Sequence, residues 1–304
     1  MVILLTFSFA GMAQNGGKKM KTIRLVYPQW QGGIIDRWFD GYNAADISRG
    51  YSLGAKIMNL LVPDTKNETY TVPVDSTYNR KLQDNVMDRD VIAKQTKAAL
   101  DILDIAQPDK IVTIGGECSV SVVPFTWLNK KYRGDVAMIW IDAHPDITLP
   151  GDVYSGYHAM AVTAAMGLGD KKIVSQLPSK LSPKKILYVG LRNWERDEIK
   201  ERQKTYGIDY LSPEDVANDN SKLDEWLKNC GASKVVVHLD LDVLDATKIY
   251  LAVGNDANGL TLEQVSRIIN GIASDKQLVG LTIAEYMPRL AIKLQEMLKT
   301  LPLE

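Results

Sequence analysis

The feature that most constrains the fold is a regular alternation of short apolar segments with amphipathic ones. Lys110–Ile114 and Val136–Asp142 are mostly apolar, which is typical of buried strands. Asp90–Ala106 has apolar residues at helical spacing, and Pro108 follows it as a stop. Apolar strands that alternate with amphipathic helices predict an α/β fold in which helices cover both faces of a parallel sheet.

The remaining predicted elements continue this alternation. The predicted strands are Lys21–Tyr27, Thr69–Val74, Lys185–Gly190, Asp209–Leu211, Lys234–Asp240 and Leu278–Ala284. The predicted helices are Ser52–Leu61, Ser119–Tyr132, His158–Met166, Glu195–Tyr206, Ser221–Asn229, Thr261–Ala273 and Leu290–Lys299. Gln29–Ser48 is rich in Gly, Trp and Asp, so we expect a loop over an active face. Gln95 and Thr96 interrupt the apolar stripe of Asp90–Ala106, and Pro124 predicts a kink in its helix.

The chain length and composition indicate one globular domain preceded by a separate N-terminal segment. The 304 residues are 45% hydrophobic and 24% charged, and no linker or repeat divides residues 20–304. Residues 1–19 form an apolar extension that lacks a basic start and is too short to span a bilayer. This extension is either the remnant of a secretory signal or sequence upstream of a start at Met20. We expect a cytoplasmic protein, or a periplasmic or secreted one in the first case.

Charge and cysteine content exclude several classes of partner and scaffold. The net charge of −1 gives no reason to expect binding to nucleic acid or to an acidic membrane. We therefore expect a small-molecule substrate, and self-association into a homo-oligomer stays open. Cys118 follows a predicted strand and Cys230 precedes one, so in a parallel sheet they lie at opposite ends. No disulfide is expected.

Acidic and metal-binding residues follow four of the predicted strands. In an open parallel sheet, ligands bind beyond the carboxyl ends of the strands, where these residues would meet. They are Glu117 and Cys118, then Asp142, His144 and Asp146, then Asp240 and Asp242, and finally Glu285. Any one of them alone could be a helix cap or a turn residue.

The spacing within the second and third groups predicts a metal site. In an extended backbone, Asp142, His144 and Asp146 would point the same way, as would Asp240 and Asp242. Four carboxylates and one imidazole converging on one point are costly unless cations compensate the charge. That amount of negative charge suits two divalent ions better than one.

These motifs resemble those of the ureohydrolase family, which comprises arginases, agmatinases, formiminoglutamases and relatives. The resemblance rests on the turn Gly115–Ser119, the strand end Asp142–Asp146, the pair Asp240 and Asp242, and the late Glu285. It runs from about Met20 to the C-terminus. It implies a three-layer α/β/α fold and a hydrolase that cleaves a C–N bond of a guanidino, formimino or related amidine substrate.

The resemblance also implies a ligand set for the metals. Such enzymes usually hold two manganese ions bridged by hydroxide. Asp142 and Asp240 would bridge the two metals, and His144 and Asp242 would complete one site. Asp146 would bind the other metal and hydrogen-bond the nucleophile.

The remaining roles implied by the resemblance concern the substrate. His158 would shuttle protons, and Glu285 would hold the guanidinium group. The family's arginine-specific asparagines are not matched, because Thr148 and Tyr157 fall in that region as candidate substrate contacts. Glu195 is either a contact for the substrate's amino group or a solvated residue at the start of a helix.

Where the family has Asp-His in the first turn, this chain has Glu117-Cys118. A Cys118 thiolate would ligate Zn²⁺ or Fe²⁺ better than Mn²⁺; alternatively, Cys118 is a small buried residue. Without the first site, the second resembles the mononuclear zinc site of histone deacetylases, and a non-catalytic relative is the third alternative. His238 either lies behind the metal ligands or is a core histidine.

Overall fold

An eight-stranded parallel sheet forms the centre of the computed structural model, which describes residues 20–63 and 65–301. The extension predicted for residues 1–19 lies outside the described residues. The strands of the sheet are β1 (Thr22–Tyr27), β2 (Glu68–Thr71), β5 (Lys110–Gly115), β6 (Val136–Ile141), β7 (Ile186–Val189), β8 (Asp209–Leu211), β9 (Lys234–Asp240) and β10 (Gln277–Ala284). Their order is β2-β1-β5-β10-β9-β6-β7-β8, and all of these pairings are parallel.

Helices connect the strands, as the alternation predicts. Their bounds are α1 (Ala44–Ser48), α2 (Gly50–Leu61), α3 (Arg89–Ala106), α4 (Val122–Lys131), α5 (Ala161–Ala165), α6 (Lys171–Val174), α7 (Asp197–Tyr206), α8 (Ser221–Asn229), α9 (Leu262–Asp275) and α10 (Arg289–Leu298). Among the described residues, none of the helices combines the length and apolarity needed to cross a bilayer.

Alternate residues of the central strand β6 reach two different hydrophobic cores. Met138 and Trp140 belong to the core that includes residues of α3, α4 and α5. Ile139 and Ile141 belong to the core that includes residues of α8 and α9. Because side chains alternate across a strand, the sheet is buried on both faces. The predicted three-layer α/β/α fold is confirmed.

Several local predictions differ from the structure. The segment predicted as a loop over residues 29–48 contains α1, which Asn43 caps by accepting hydrogen bonds from two backbone N–H groups. A two-stranded hairpin, β3 (Leu82–Gln83) and β4 (Val86–Met87), was not predicted. Its two turn residues have positive φ, as a tight hairpin turn requires. Pro124 lies in the first turn of α4, where no intrahelical N–H is needed, so it does not interrupt the helix.

The polar residues that interrupt the apolar stripe of α3 are buried. Gln95 donates from Nε2 to Gln29 Oε1 (2.7 Å), and its Oε1 accepts from the backbone N–H of Asp75 (2.9 Å). Gln29 in turn donates to Glu117 Oε1 (2.7 Å), in the turn after β5. Because each of these buried side chains has a hydrogen-bond partner, they can take the place of apolar residues in α3. The network also connects α3 to the turn after β5.

The strand order brings the predicted site residues together. The four strands that end in acidic or metal-binding residues, β5, β10, β9 and β6, are consecutive neighbours in the sheet. Their carboxyl ends lie side by side because all four run in the same direction. One rim of the sheet therefore collects groups that lie far apart in the sequence.

Candidate metal centre

Two aspartates at the ends of β6 and β9 use the same local turn. Asp142 Oδ1 accepts the backbone N–H of His144 (2.6 Å), and Asp240 Oδ1 accepts that of Asp242 (2.6 Å). Each turn bends the chain over the end of its strand and gathers the two side chains at one rim. The predicted extended backbone is therefore wrong, and Asp146 itself has a left-handed φ of 49°.

The two turns also bond to each other. Asp242 Oδ1 accepts the backbone N–H of Ala143 (3.2 Å), and Asp242 Oδ2 lies 3.0 Å from His144 Nδ1. His144 Nδ1 is 3.7 Å from Asp142 Oδ1. One nitrogen and two carboxylates, from Asp142, His144 and Asp242, thus face a common point.

Cys118 joins the cluster from the turn after β5. Its thiol donates to Asp240 Oδ2 (2.9 Å), and its backbone N–H donates to Glu285 Oε1 (3.2 Å). The backbone reaches this position because Gly116 packs against the carbonyl oxygen of Gln29, at 1.7 Å from where a Cβ would lie. Glu117 does not point at the cluster, because its carboxylate accepts hydrogen bonds from Gln29 and from Ser119.

Burial makes the negative charge of this cluster unfavourable. Burial and the charge of Asp242 raise the pKa of Asp142 to about 7. Burial, then neighbouring carboxylates, raise the pKa values of Asp146 and Asp240 well above their usual range. Burial and the charge of Asp240 likewise raise the pKa of the Cys118 thiol. Without a compensating cation, these groups retain protons that ligands must lose.

The donor atoms fit divalent cations. Asp146 Oδ2 is buried and has no hydrogen-bond partner among the described residues. Three sets of side chains each bring ligand atoms within 4.8 Å of one another: Cys118, Asp142, His238 and Asp240; Asp142, His144 and Asp242; and Cys118, His158 and Glu285. An unpaired buried oxygen beside closely packed carboxylates is the pattern that a bound cation would satisfy.

A cavity of about 540 Å³ opens above this cluster. Glu285 and His158 line it together with the ligand cluster, and so does the predicted loop through Arg37 and Trp38. His158 Nδ1 is 3.2 Å from Glu285 Oε1, and its Nε2 is 2.7 Å from the hydroxyl of Tyr154. The site therefore has an acidic floor and a histidine held between a carboxylate and a phenol.

The predicted substrate contacts separate into two groups. Glu195 lines the cavity, is 45% exposed and precedes α7 in a left-handed conformation. Thr148 also lines it, although its hydroxyl donates to Ala159 O (2.8 Å). Tyr157 lies in the hydrophobic core and is not among the residues that line the cavity, so the structure does not place it as a substrate contact.

Comparisons with known proteins show the family to which this chain belongs. The sequence model of the arginase family matches residues 50–299. The chain belongs to the arginase family. It is 31% identical to the arginase of Entamoeba histolytica over 213 residues, which are 68% of each chain. It is 28% identical to the arginase of Plasmodium berghei over 224 residues, which are 70% of this chain and 63% of that one.

A solved arginase shares the fold. The Entamoeba histolytica arginase in complex with L-ornithine superposes with a TM-score of 0.73 and 22% identity. The match covers 92% of this chain and 96% of the arginase. This likeness confirms the arginase-like α/β/α architecture.

Asp256 is a site residue of this arginase-family chain that the sequence did not indicate. Its Oδ2 lies 3.3 Å from His144 Nε2, and its Oδ1 accepts from Asn193 Nδ2 (2.8 Å). A carboxylate on the far nitrogen orients a ligand histidine and selects its tautomer. Asp256 lies in a loop with no metal-ligand spacing, so only the fold reveals it.

Arg192 connects the loops around this part of the centre. Its guanidinium donates to the backbone oxygens of Asp242 (3.1 Å), Leu244 (3.3 Å) and Asp256 (3.0 Å). Arg192 precedes Glu195 by three residues, but its side chain bonds to protein carbonyls. Its role in the structure is to hold the loop after β9 against the loop after β7.

His238 is completely buried on β9. Its ring stacks on Trp140 with centroids 3.6 Å apart, and its Nδ1 is 2.7 Å from Ser121 Oγ. Burial lowers its pKa to about 3, so the ring is neutral. Its Nε2 has no hydrogen-bond partner among the described residues and lies 4.0 Å from Asp142 Oδ2.

We expect the metal-free protein to lose stability as the pH rises. The pKa of Asp142 is about 7 in the folded state, against an ordinary value of 3.8, so the folded chain retains a proton that the unfolded chain releases. The stability that this proton contributes is fully present below the ordinary pKa of 3.8, and it is lost as the pH rises through the folded-state pKa of about 7. For one proton the slope is about −1.4 kcal/mol per pH unit.

Thermal unfolding in chelator across this pH range measures the slope. A repeat with a saturating divalent cation should flatten or reverse it, because a cation favours the ionised carboxylates. Equal slopes with and without the cation would contradict the expected coupling.

Proposed function

We propose that this protein is a metal-dependent hydrolase that cleaves a C–N bond of a guanidino, formimino or related amidine substrate. The observation that carries the proposal is the group of four buried aspartates, Asp142, Asp146, Asp240 and Asp242, of which the last three line a cavity together with Glu285 and His158. Membership of the arginase family supports the reaction class.

Five side chains would hold the divalent cations in this proposal, namely Asp142, His144, Asp146, Asp240 and Asp242. When bound, the cations supply a water molecule of lowered pKa, which is a nucleophile near neutral pH. Asp142 belongs to two of the three sets of ligand atoms, so it could contribute to either cation. Asp240 belongs to one set and accepts the backbone N–H of Asp242, which belongs to another. Carboxylates favour Mn²⁺, whereas Cys118 favours Zn²⁺ or Fe²⁺.

Glu285 would bind the planar, positively charged end of the substrate. Its carboxylate is 3% exposed and faces the cavity, and Tyr51 donates a hydrogen bond to its Oε2. A planar amidinium offers paired N–H groups that match a carboxylate, and a buried site strengthens such a bond. Holding the amidinium there would place its central carbon over the aspartate floor.

His158 would move the proton in this reaction. Its Nδ1 faces Glu285, and its Nε2 faces Tyr154, so the ring has a partner on each side. A protonated His158 would donate to the amine nitrogen as the C–N bond breaks. Tyr154 also accepts a hydrogen bond from the backbone N–H of Ile34 (3.1 Å), which ties the histidine loop to the loop over the cavity.

The substrate's tail would contact the outer cavity. The lining of the cavity carries both signs of charge, from Arg37, Arg196 and Glu195. The sequence does not match the family's arginine-specific asparagines, so we infer a tail that differs from that of arginine. The useful substrates for a test are amidines whose tails are negative, neutral or positive.

The experiment is an assay of purified, metal-loaded protein against this panel. We expect divalent-metal-dependent release of urea from a guanidino compound, or of an amide from an amidine, and loss of activity in chelator. Release of acetate from an acylated amine, with one metal per chain, would instead support a mononuclear amidohydrolase. Metal binding without turnover of any amidine would support a non-catalytic family member.

A further inference from the structure

A second imidazole lies where the first metal site lacks one. His238 comes from β9, two residues before Asp240 and on the same face of the strand. Together with Cys118, Asp142 and Asp240 it contributes a ligand atom to a set within 4.8 Å, and all four residues are buried. His238 and Asp240 lie on β9, whereas Asp142 and Cys118 follow the ends of β6 and β5, and all three strands belong to the same group of four consecutive strands.

The hydrogen bonding of His238 leaves one ring nitrogen available. Ser121 Oγ can accept from Nδ1–H at 2.7 Å, and that tautomer leaves a lone pair on Nε2. Nε2 is buried and unpaired among the described residues, and it faces Asp142. A histidine kept only for packing would leave this buried nitrogen without a hydrogen bond, which is unfavourable.

The ring is also held in a single orientation. Trp140 pairs with His238 in the β6–β9 register and stacks on it with an interplanar angle of 14°. A serine on Nδ1 and an indole on one face are supports of the kind that orient ligand histidines at metal sites. The sulfur of Cys118 lies on the other side of the set, against Asp240 at 2.9 Å.

We propose that His238 and Cys118 together replace the missing histidine and, with Asp142 and Asp240, form a zinc-selective half of the metal centre. This inference rests on the proposed function, which requires a metal at this rim. One thiolate, one imidazole and two carboxylates are a donor set that Zn²⁺ accepts in tetrahedral sites, whereas Mn²⁺ prefers oxygen. The other half, with His144 and Asp242, has mostly oxygen donors and keeps the manganese-type character. Binding requires Cys118 to release its thiol proton to solvent, because the thiolate is the ligand.

Cobalt titration of the full-length protein tests the proposal. Co²⁺ occupies zinc sites and shows a thiolate-to-cobalt charge-transfer band when a thiolate binds it. The variants are Cys118→Ser, His238→Gln and the matched control Thr282→Val. Thr282 pairs with His238 across β9 and β10, and its hydroxyl is also buried and unpaired, yet it belongs to none of the three ligand sets. We expect a thiolate-to-cobalt band in the wild type and in Thr282→Val, and its loss in Cys118→Ser.

For His238→Gln we expect cobalt affinity at the thiolate site to fall by at least about 100-fold, more than the loss of an outer partner causes. Unchanged affinity in His238→Gln would overturn the assignment of His238. X-ray absorption of wild-type protein with one equivalent of Zn²⁺ needs no variant to fold. It should show one sulfur and an imidazole on the same ion, and a zinc with sulfur but no imidazole would overturn the proposal.

These outcomes separate the inference from the proposed function. If wild type binds metal and hydrolyses amidines while His238→Gln keeps the cobalt band and affinity, only the inference about His238 fails. If wild-type protein binds no divalent metal, both fail. Competition between Zn²⁺ and Mn²⁺ should leave zinc at the thiolate site, and equal occupancy by manganese would overturn the selectivity.

Discussion

Asp240→Asn should abolish the activity and at the same time stabilise the metal-free protein. Asp240 borders both halves of the proposed metal centre, since it accepts from Cys118 Sγ and from the backbone N–H of Asp242. An amide is a poor ligand for a divalent ion, so we expect loss of bound metal. We expect kcat/KM to fall by about 1,000-fold or more, because metal catalysis supplies several kcal/mol of transition-state stabilisation.

When no metal is present, Asp240→Asn should raise the free energy of unfolding. Burial and the charges of Asp242 and Asp142 raise the pKa of Asp240, so ionising it near neutral pH is unfavourable in the metal-free fold. Each unit of such a shift costs about 1.4 kcal/mol once the group is ionised. The amide carries no charge, and its oxygen can still accept the N–H of Asp242.

Thermal unfolding with and without metal measures both effects. Wild-type protein should gain roughly 5 °C in Tm at a metal concentration about 100-fold above Kd, whereas Asp240→Asn should gain none. Asp245→Asn is the matched control, because Asp245 is also buried and follows the same strand, but its side chain bonds to Thr247 and Lys248 and belongs to none of the three ligand sets. Retained metal binding in Asp240→Asn, or equal loss in Asp245→Asn, would contradict the assignment.

The sequence predicted the fold because the signals that define it are local and repeated. Each apolar strand is bounded by turn residues, and α9 begins at a capping box of Thr261 and Gln264. The order of strands in the sheet could not be read from these local signals. It nevertheless determines the site, since β5, β10, β9 and β6 are neighbours only after folding.

The site was predictable where its residues recur at short spacing and unpredictable elsewhere. Asp142 with His144 and Asp240 with Asp242 were visible as pairs, although turns and not an extended backbone gather them. Asp256 had no such partner nearby in the sequence. A residue that acts through long-range contacts leaves no periodic signal, so its position depends on the tertiary packing.

The lone pair on Nε2 of His238 could not be predicted from the sequence either. The sequence could indicate that His238 lies on the face of Asp240, but not whether both of its nitrogens are paired. That depends on Ser121, which comes from the turn before α4, and on Trp140 from the adjacent strand. Hydrogen-bond satisfaction is a property of the folded environment and not of residue spacing.

Glu285→Gln should remove substrate recognition while leaving the metal ligands in place. Its carboxylate accepts hydrogen bonds from the hydroxyl of Tyr51 and from the backbone N–H of Cys118. It also faces His158 Nδ1 at 3.2 Å. Removing one partner of a buried charge pair costs about 2–5 kcal/mol, which corresponds to a loss in kcat/KM of about 30-fold to several thousand-fold. The loss should be largest for substrates with a positively charged amidinium.

The design separates a substrate contact from a metal ligand, because Glu285 also lies in a ligand set with Cys118 and His158. Metal content by elemental analysis should be equal in wild type and Glu285→Gln. Tyr51→Phe is the matched control, because it removes the hydrogen bond to Oε2 but keeps the charge of Glu285. It should lower kcat/KM by less than about 10-fold, since a single neutral hydrogen bond contributes about 1 kcal/mol.

If Glu285→Gln instead lost metal in proportion to activity, Glu285 would be a ligand, and the amidinium would need another carboxylate. The amide keeps the volume of the side chain and can still accept from Tyr51, so a specific loss of turnover with full metal occupancy would have an electrostatic cause and not a packing one.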